Sequence, residues 1–184
     1  MIIGKIVKES FKVLILASIL SSIGGLGLQS VQNKLVMLVP LLILLPSLNG
    51  MIGNYGIVIT AKFTTALYER KIKRPWWHSH FVKHLYKVII PIALISAVYI
   101  SVLSVFIAYM RGFNFDLILL LKIIGLVVLT TILLVAIIFL ISIIGGLYVY
   151  HRKEDPDDML IPITTSVADL GSMLLFSGMI RWMF

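Results

Sequence analysis

Asp169 is the only charged residue between Met159 and Ile180. Pro162, Thr165, Asp169 and Ser172 recur at three- and four-residue steps, so a helix would set them on one face, with Ser166 beside it. A carboxylate in so apolar a stretch costs about 2.5–3.5 kcal/mol on insertion scales if the stretch lies in a bilayer. No base in the same stretch can neutralise it, and Lys62 is the one candidate partner from another apolar run. Three outcomes are open: an ion pair with Lys62, a retained proton, or a bound cation. Ionisable groups at such depth mark ion pathways by default.

A second polar interruption runs from Pro46 through Asn49, Gly50, Gly53 and Asn54 to Gly56, inside another apolar run. Proline removes a backbone donor and displaces the carbonyl four residues earlier. Glycine lets another backbone or an ion come close. Two readings stand. One is a kinked packing helix with asparagine hydrogen bonds. The other is a break that lines a pore, because irregular backbone at membrane depth survives only where protein or water covers it.

The remaining polar clusters carry less chemistry. Glu154, Asp155, Asp157 and Asp158 surround Pro156 and make a plausible cytoplasmic hard-cation site. They equally make an acidic N-terminal cap for the helix that follows, the favoured reading, and one loop can do both. His80 and His84 have the i, i+4 spacing of a zinc pair. Their neighbours Trp76, Trp77 and His78, with the adjacent lysines, read more simply as an interfacial aromatic belt. No nucleophile–base pair, phosphate loop or paired catalytic carboxylates occurs, so no catalytic residue is expected and the chain does not read as an enzyme.

The elements that must carry these residues follow from composition. The chain has 184 residues, 60% hydrophobic and 13% charged, with no cysteine. A soluble domain carries about 25% charge. So little charge cannot cover a wet surface, which excludes a soluble enzyme, a disordered chain and a disulfide scaffold. What remains is an all-α integral membrane protein. Five apolar runs reach the roughly 20 residues that cross a bilayer: about 13–33, 35–61, 88–110, 123–150 and 159–180. Helix 2 is expected to be broken by its Pro and Gly residues. Residues 1–12 read as an interfacial amphipathic segment and 1–184 as a single membrane domain. A signal peptide does not fit, since no small-residue cleavage site precedes a soluble mature domain.

The bases set the orientation. Five spans with a cytoplasmic N-terminus put Lys5, Lys8, Lys12, Arg70, Lys71, Lys73, Arg74, Lys83, Lys87, Arg152 and Lys153 inside. Lys34, Arg111, Lys122 and Arg181 fall outside, and Lys62 lies in helix 2. This positive-inside bias places the C-terminus outside a plasma membrane. The net charge of +8 then reads as topology and contact with lipid headgroups, not as a nucleic-acid surface.

Two motifs resemble a known family. Pro46-Ser47-Leu48-Asn49-Gly50-Met51-Ile52-Gly53-Asn54, continuing to Thr60-Ala61-Lys62-Phe63-Thr64-Thr65-Ala66, looks like the helix-2 signature of the MgtE magnesium channels and still more like their solute carrier family 41 relatives. Asp155-Pro156-Asp157-Asp158, then Pro162 and Asp169 at successive seven-residue steps, resembles the start of that family's last helix and its pore aspartate. The resemblance covers essentially the whole chain. It implies a divalent cation channel or transporter, chiefly for magnesium (Mg2+), with a dimeric membrane domain and a pore at the dimer axis. Asp169 would supply the acidic site, Gly50, Gly53 and Asn54 the helix-2 contribution, and Thr165 part of the lining. Asn49, Ser166 and Ser172 are further lining or supporting positions.

There are departures from the bacterial pattern. Ile57 and Val58 stand where those channels carry a second Asn-Gln pair. Only about twelve residues precede the first apolar run, so the bacterial cytoplasmic regulatory domains are not expected. The solute carrier relatives fuse two halves like this one.

Five helices enclose a polar path poorly, so a parallel homodimer in membrane lipid is expected, with two copies of Asp169 meeting across a twofold axis. Magnesium keeps several waters, which suits a lining of hydroxyls and amides, and too few acids are present for a calcium cage. The alternatives are a cation–proton exchanger that uses Asp169 and a non-conducting half that needs a second, similar chain.

Overall fold

The computed structural model describes residues 2–72, 76 and 79–183, with backbone alone for residues 2–10, 12 and 13. Lys73, Arg74, Trp77 and His78, expected at the inner boundary, lie outside the described residues, as do the side chains of Lys5, Lys8, Glu9 and Lys12. Among the described residues six α-helices follow in order: α1 Ile2–Gln29, α2 Gln32–Met37, α3 Val39–Tyr68, α4 His80–Met110, α5 Leu117–His151 and α6 Pro156–Met183. No strand occurs among the described residues. Helices α3 to α6 are each long and apolar enough to cross a bilayer, and the described apolar part of α1, Leu14–Gln29, is shorter. The expected count of five therefore meets four clear candidates and one shorter one.

The helices outrun the charge-free stretches. α3 extends to Tyr68 past Lys62, α4 starts before Lys83 and Lys87, and α5 starts before Lys122. Lysine stems lie along apolar surface while their ammonium groups reach polar ground, so charge at a helix end does not stop the helix. Lys122 and Lys34 also reach the carbonyls of Met183 (3.3 Å) and Arg181 (3.5 Å), which the end of α6 leaves unpaired. At their C-terminal ends α3, α4 and α5 close alike. Lys71, Phe113 and Glu154 donate back five residues to Ala66, Ala108 and Val149. Arg70, Gly112 and Lys153 each turn through positive φ, the Schellman arrangement.

The expected break in helix 2 is not observed: α3 runs through Pro46 and all three glycines without interruption. Pro46 is exposed and forfeits one backbone bond, toward Leu42. Unwinding would strand several more polar groups without water, so the continuous helix wins. The same logic covers Pro162 in α6. There Thr164, Thr165 and Ser166 send their hydroxyls back to the carbonyls of Leu160, Ile161 and Pro162, tying the turn around the proline.

α6 packs against α1, α3 and α5, whereas α4 packs against α3 and α5. Small residues allow the close approaches. A Cβ on Gly56 of α3 would stand 3.2 Å from Thr164 Cβ of α6 and 3.4 Å from Ile138 Cγ2 of α5. Both neighbours are β-branched and stiff at χ1. Gly56→Val should therefore destabilise the bundle by roughly 1–3 kcal/mol, the range for overpacking. A thermal midpoint in detergent equal to wild type would mean that this three-helix junction is looser than described.

Candidate ion site

Asp169 is the fourteenth of the 28 residues of α6, at mid-helix, and is half-buried. Two elements pack against it. α3 runs antiparallel to α6 and brings Asn49, whose Nδ2 donates to Asp169 Oδ1 at 2.7 Å. α1 runs parallel to α6 and brings Ser21, whose hydroxyl donates to Oδ2 at 3.3 Å. Ser172, one turn further along α6, donates to Asn49 Oδ1 and also contacts the Asp169 carbonyl at 3.0 Å. Each oxygen of the carboxylate thus accepts from one neutral donor. Lys62 is not its partner: thirteen residues beyond Asn49, it sits about 20 Å further along α3 at 1.5 Å per residue. Among the described residues no cation pairs with Asp169.

The other expected site residues divide. Ser172 and Asn49 join Asp169. Thr165 and Ser166 lie on the same helix, but their hydroxyls bond to backbone, Thr165 to Ile161 and Pro162 at 3.0 Å each and Ser166 to Pro162 at 2.5 Å. Gly50 and Asn54 are exposed on an outward face of α3 that also carries Pro46, Ser47, Ile57 and Val58. Within one chain they do not reach Asp169. Gly53 is buried, and apart from the adjoining backbone of α3 itself no atom stands within 4 Å of where a Cβ on Gly50 or Gly53 would lie. Ser21 is the residue that sequence reasoning missed. Its one signal was membership of the Ser18, Ser21, Ser22 group. Ser18 and Ser22 return to the backbone of their own helix, at 2.9 and 2.8 Å, and only Ser21 crosses to another.

In the loop before α6, Asp155 Oδ1 accepts the Asp157 amide at 3.1 Å, one residue before that helix begins with Pro156, as an N-cap does. Glu154 and Asp158 are exposed. His80 and His84 stack at 6.3 Å with planes 8° apart. Among the described residues no group of three or more His, Asp or Glu gathers to hold a metal. Among the described residues, Asp169 is thus a mid-helix carboxylate served by one hydroxyl and one amide and by no cation.

A comparison with protein families accords with that chemistry. Residues 45–179 match the MgtE model, described as a divalent cation transporter. The match takes in most of α3, all of α4 and α5 and most of α6, with Asn49 and Ser172 but not Ser21. The chain belongs to the MgtE divalent cation transporter family, a family of transporters and not of enzymes, and its four long apolar helices fit a multi-pass membrane protein. No curated protein and no solved structure matches it.

Proposed function

We propose that the chain conducts magnesium passively as a parallel homodimer, with two copies of Asp169 holding a hydrated ion between them. The observation that carries this reading is the mid-helix carboxylate with neutral donors alone. Two such groups repel one another unless a doubly charged ion stands between them, which favours divalent over monovalent cations. Inward movement of a divalent ion gains about 4.6 kcal/mol per 100 mV, so no motor is needed. α1 lies parallel to α6, Ser21 at the level of Asp169 and Gly27 at that of Ser177, and it crosses the same layer as a fifth span. The N-terminus then lies in the cytoplasm and the C-terminus outside a plasma membrane. Residues 1–184 act as one membrane domain.

The outward face of α3 gives the dimer its seam. Pro46, Gly50 and Asn54 present a polar, small-residue stripe to whatever lies beside the chain. Asn54 makes no hydrogen bond among the described residues, and an amide facing lipid without a partner is costly. A second α3 satisfies it, and the pair brings Gly50, Gly53 and Asn54 toward the axis. Because the chain has no cysteine, an introduced one reports alone. Asn54→Cys should cross-link two copies in membranes under mild oxidation, giving a band of twice the mass on a non-reducing gel. A cross-link at the lipid-facing Ile95→Cys instead would place the seam on α4. Flux into liposomes holding only this chain, with magnesium outside and a set potential, tests the function. Flux that follows a pH gradient instead would indicate exchange with protons.

A further inference from the structure

The turn between α4 and α5 borders two hollows that share one wall. An apolar groove of about 490 Å3 is lined by Val102, Val105, Phe106, Tyr109, Phe115 and Leu120. Val105 is its buried floor, and Val102, Phe106 and Tyr109 are exposed along α4. Val102 and Tyr109 lie two turns apart, so the groove follows the helix for about 10 Å. A polar hollow of about 600 Å3 adjoins it, walled by Phe115 again and by Asn114, Asp116 and Lys122. The Phe115 ring stands edge-on to Tyr109, centroids 5.9 Å apart.

We propose that one anionic phospholipid seats here, with a tail in the groove and its phosphate among the bases beyond Phe115. The hollows lie where two apolar spans end, the level at which a bilayer passes from hydrocarbon to headgroup. The step from apolar to polar therefore runs in the same sense as a lipid. Lys122 donates to the neutral Met183 carbonyl at 3.3 Å and keeps its charge. Arg111 follows Tyr109 by two residues, at the exposed C-cap of α4. Asp116 is the one acid lining the hollow. Its Oδ1 accepts the Leu119 amide at 2.7 Å, and the N-terminus of α5 offsets its charge. Two bases and the Asn114 amide thus stand against one capped acid, which suits a phosphate. A twofold copy on this face would bring its own Arg111 and Lys122 to the same rim, and like charges oppose that. The seated lipid bridges the ends of α4 and α5, and it is independent of the ion proposed above.

The test titrates the purified chain in detergent with phosphatidylglycerol and with phosphatidylcholine of the same tails. Thermal midpoint and the lipid retained in native mass spectrometry are read together. The anionic lipid should raise the midpoint further and stay bound at one molecule per chain. Arg111→Gln with Lys122→Gln should weaken its binding about thirtyfold, the combined pull of two bases on an anionic headgroup, with far less effect on phosphatidylcholine. Val102→Trp should fill the groove and abolish retention. Val98→Trp, one turn away and outside the lining, should keep it. An equal response to both lipids would overturn the proposal, as would a shift reproduced by inorganic phosphate at the same concentration. Undiminished retention in Val102→Trp would also overturn it. Should that variant fail to fold, the paired base substitution decides alone, and wild-type affinity there rejects the lipid seat.

Discussion

Asp169→Asn should reduce potential-driven magnesium flux at least about 100-fold while leaving the fold and the proposed dimer intact. The substitution is nearly isosteric, and the surroundings accept it. One end of the new amide still accepts from Asn49 Nδ2, and the other can donate to the Ser21 hydroxyl. Packing against α1 and α3 is unchanged. What disappears is the negative charge, twice over in a homodimer. Two unit charges near a hydrated divalent ion contribute several kcal/mol at an effective dielectric near 20, and each 1.4 kcal/mol is a factor of about ten. Flux close to wild type in a well-folded Asp169→Asn protein would remove Asp169 from the pathway.

The second large effect concerns the seat of α1. A Cβ on Gly24 would stand 3.2 Å from Met173 Cβ and 3.3 Å from Leu170 Cα, and one on Gly27 2.7 Å from Leu174 Cδ2. Met173 and Leu174 can swing aside, but the α6 backbone at Leu170 cannot. Helix association in lipid rests on such close packing, because the lipid tails are as apolar as the helix. Gly24→Leu with Gly27→Leu should force the two axes apart at roughly 1–3 kcal/mol per site and break the bond from Ser21 to Asp169. The expected readout is a lower thermal midpoint and a flux deficit together. A double variant with wild-type stability would show that α1 is not held on α6 through these glycines.

The parts legible in sequence are those with short-range causes. Asp169 stood out because nothing else in its stretch is charged, and Ser172 followed from helical spacing. Asn49 was visible as a polar residue, but its target lies 120 positions away, and no local pattern chooses between Asn49 and Asn54. Five residues apart, they differ by more than 100° around a helix and point to different neighbours. Ser21 was hidden among look-alikes whose hydroxyls serve their own helix. The extent of α3 was misjudged for two physical reasons. Charged ends do not terminate a helix whose lysines can reach outward, and one proline cannot break a helix that has no water to unfold into. The Asp155 cap was readable because its cause lies within three residues.

The pairing of α1 with α6 also orders events on the ribosome. α1 leaves the exit tunnel well before its packing partner α6, and more than a hundred residues separate them. At ordinary elongation rates α1 waits on the order of 10 s for its neighbour. With α1 as the proposed fifth span the wait is tolerable: its outward leucines and isoleucines would already be solvated by acyl chains, and Ser21 can meanwhile bond its own helix as Ser18 and Ser22 do. Docking of α1 is thus the closing step of assembly. The carboxylate, itself carried by α6, meets Asn49 and Ser21 only once α6 is seated against α3 and α1.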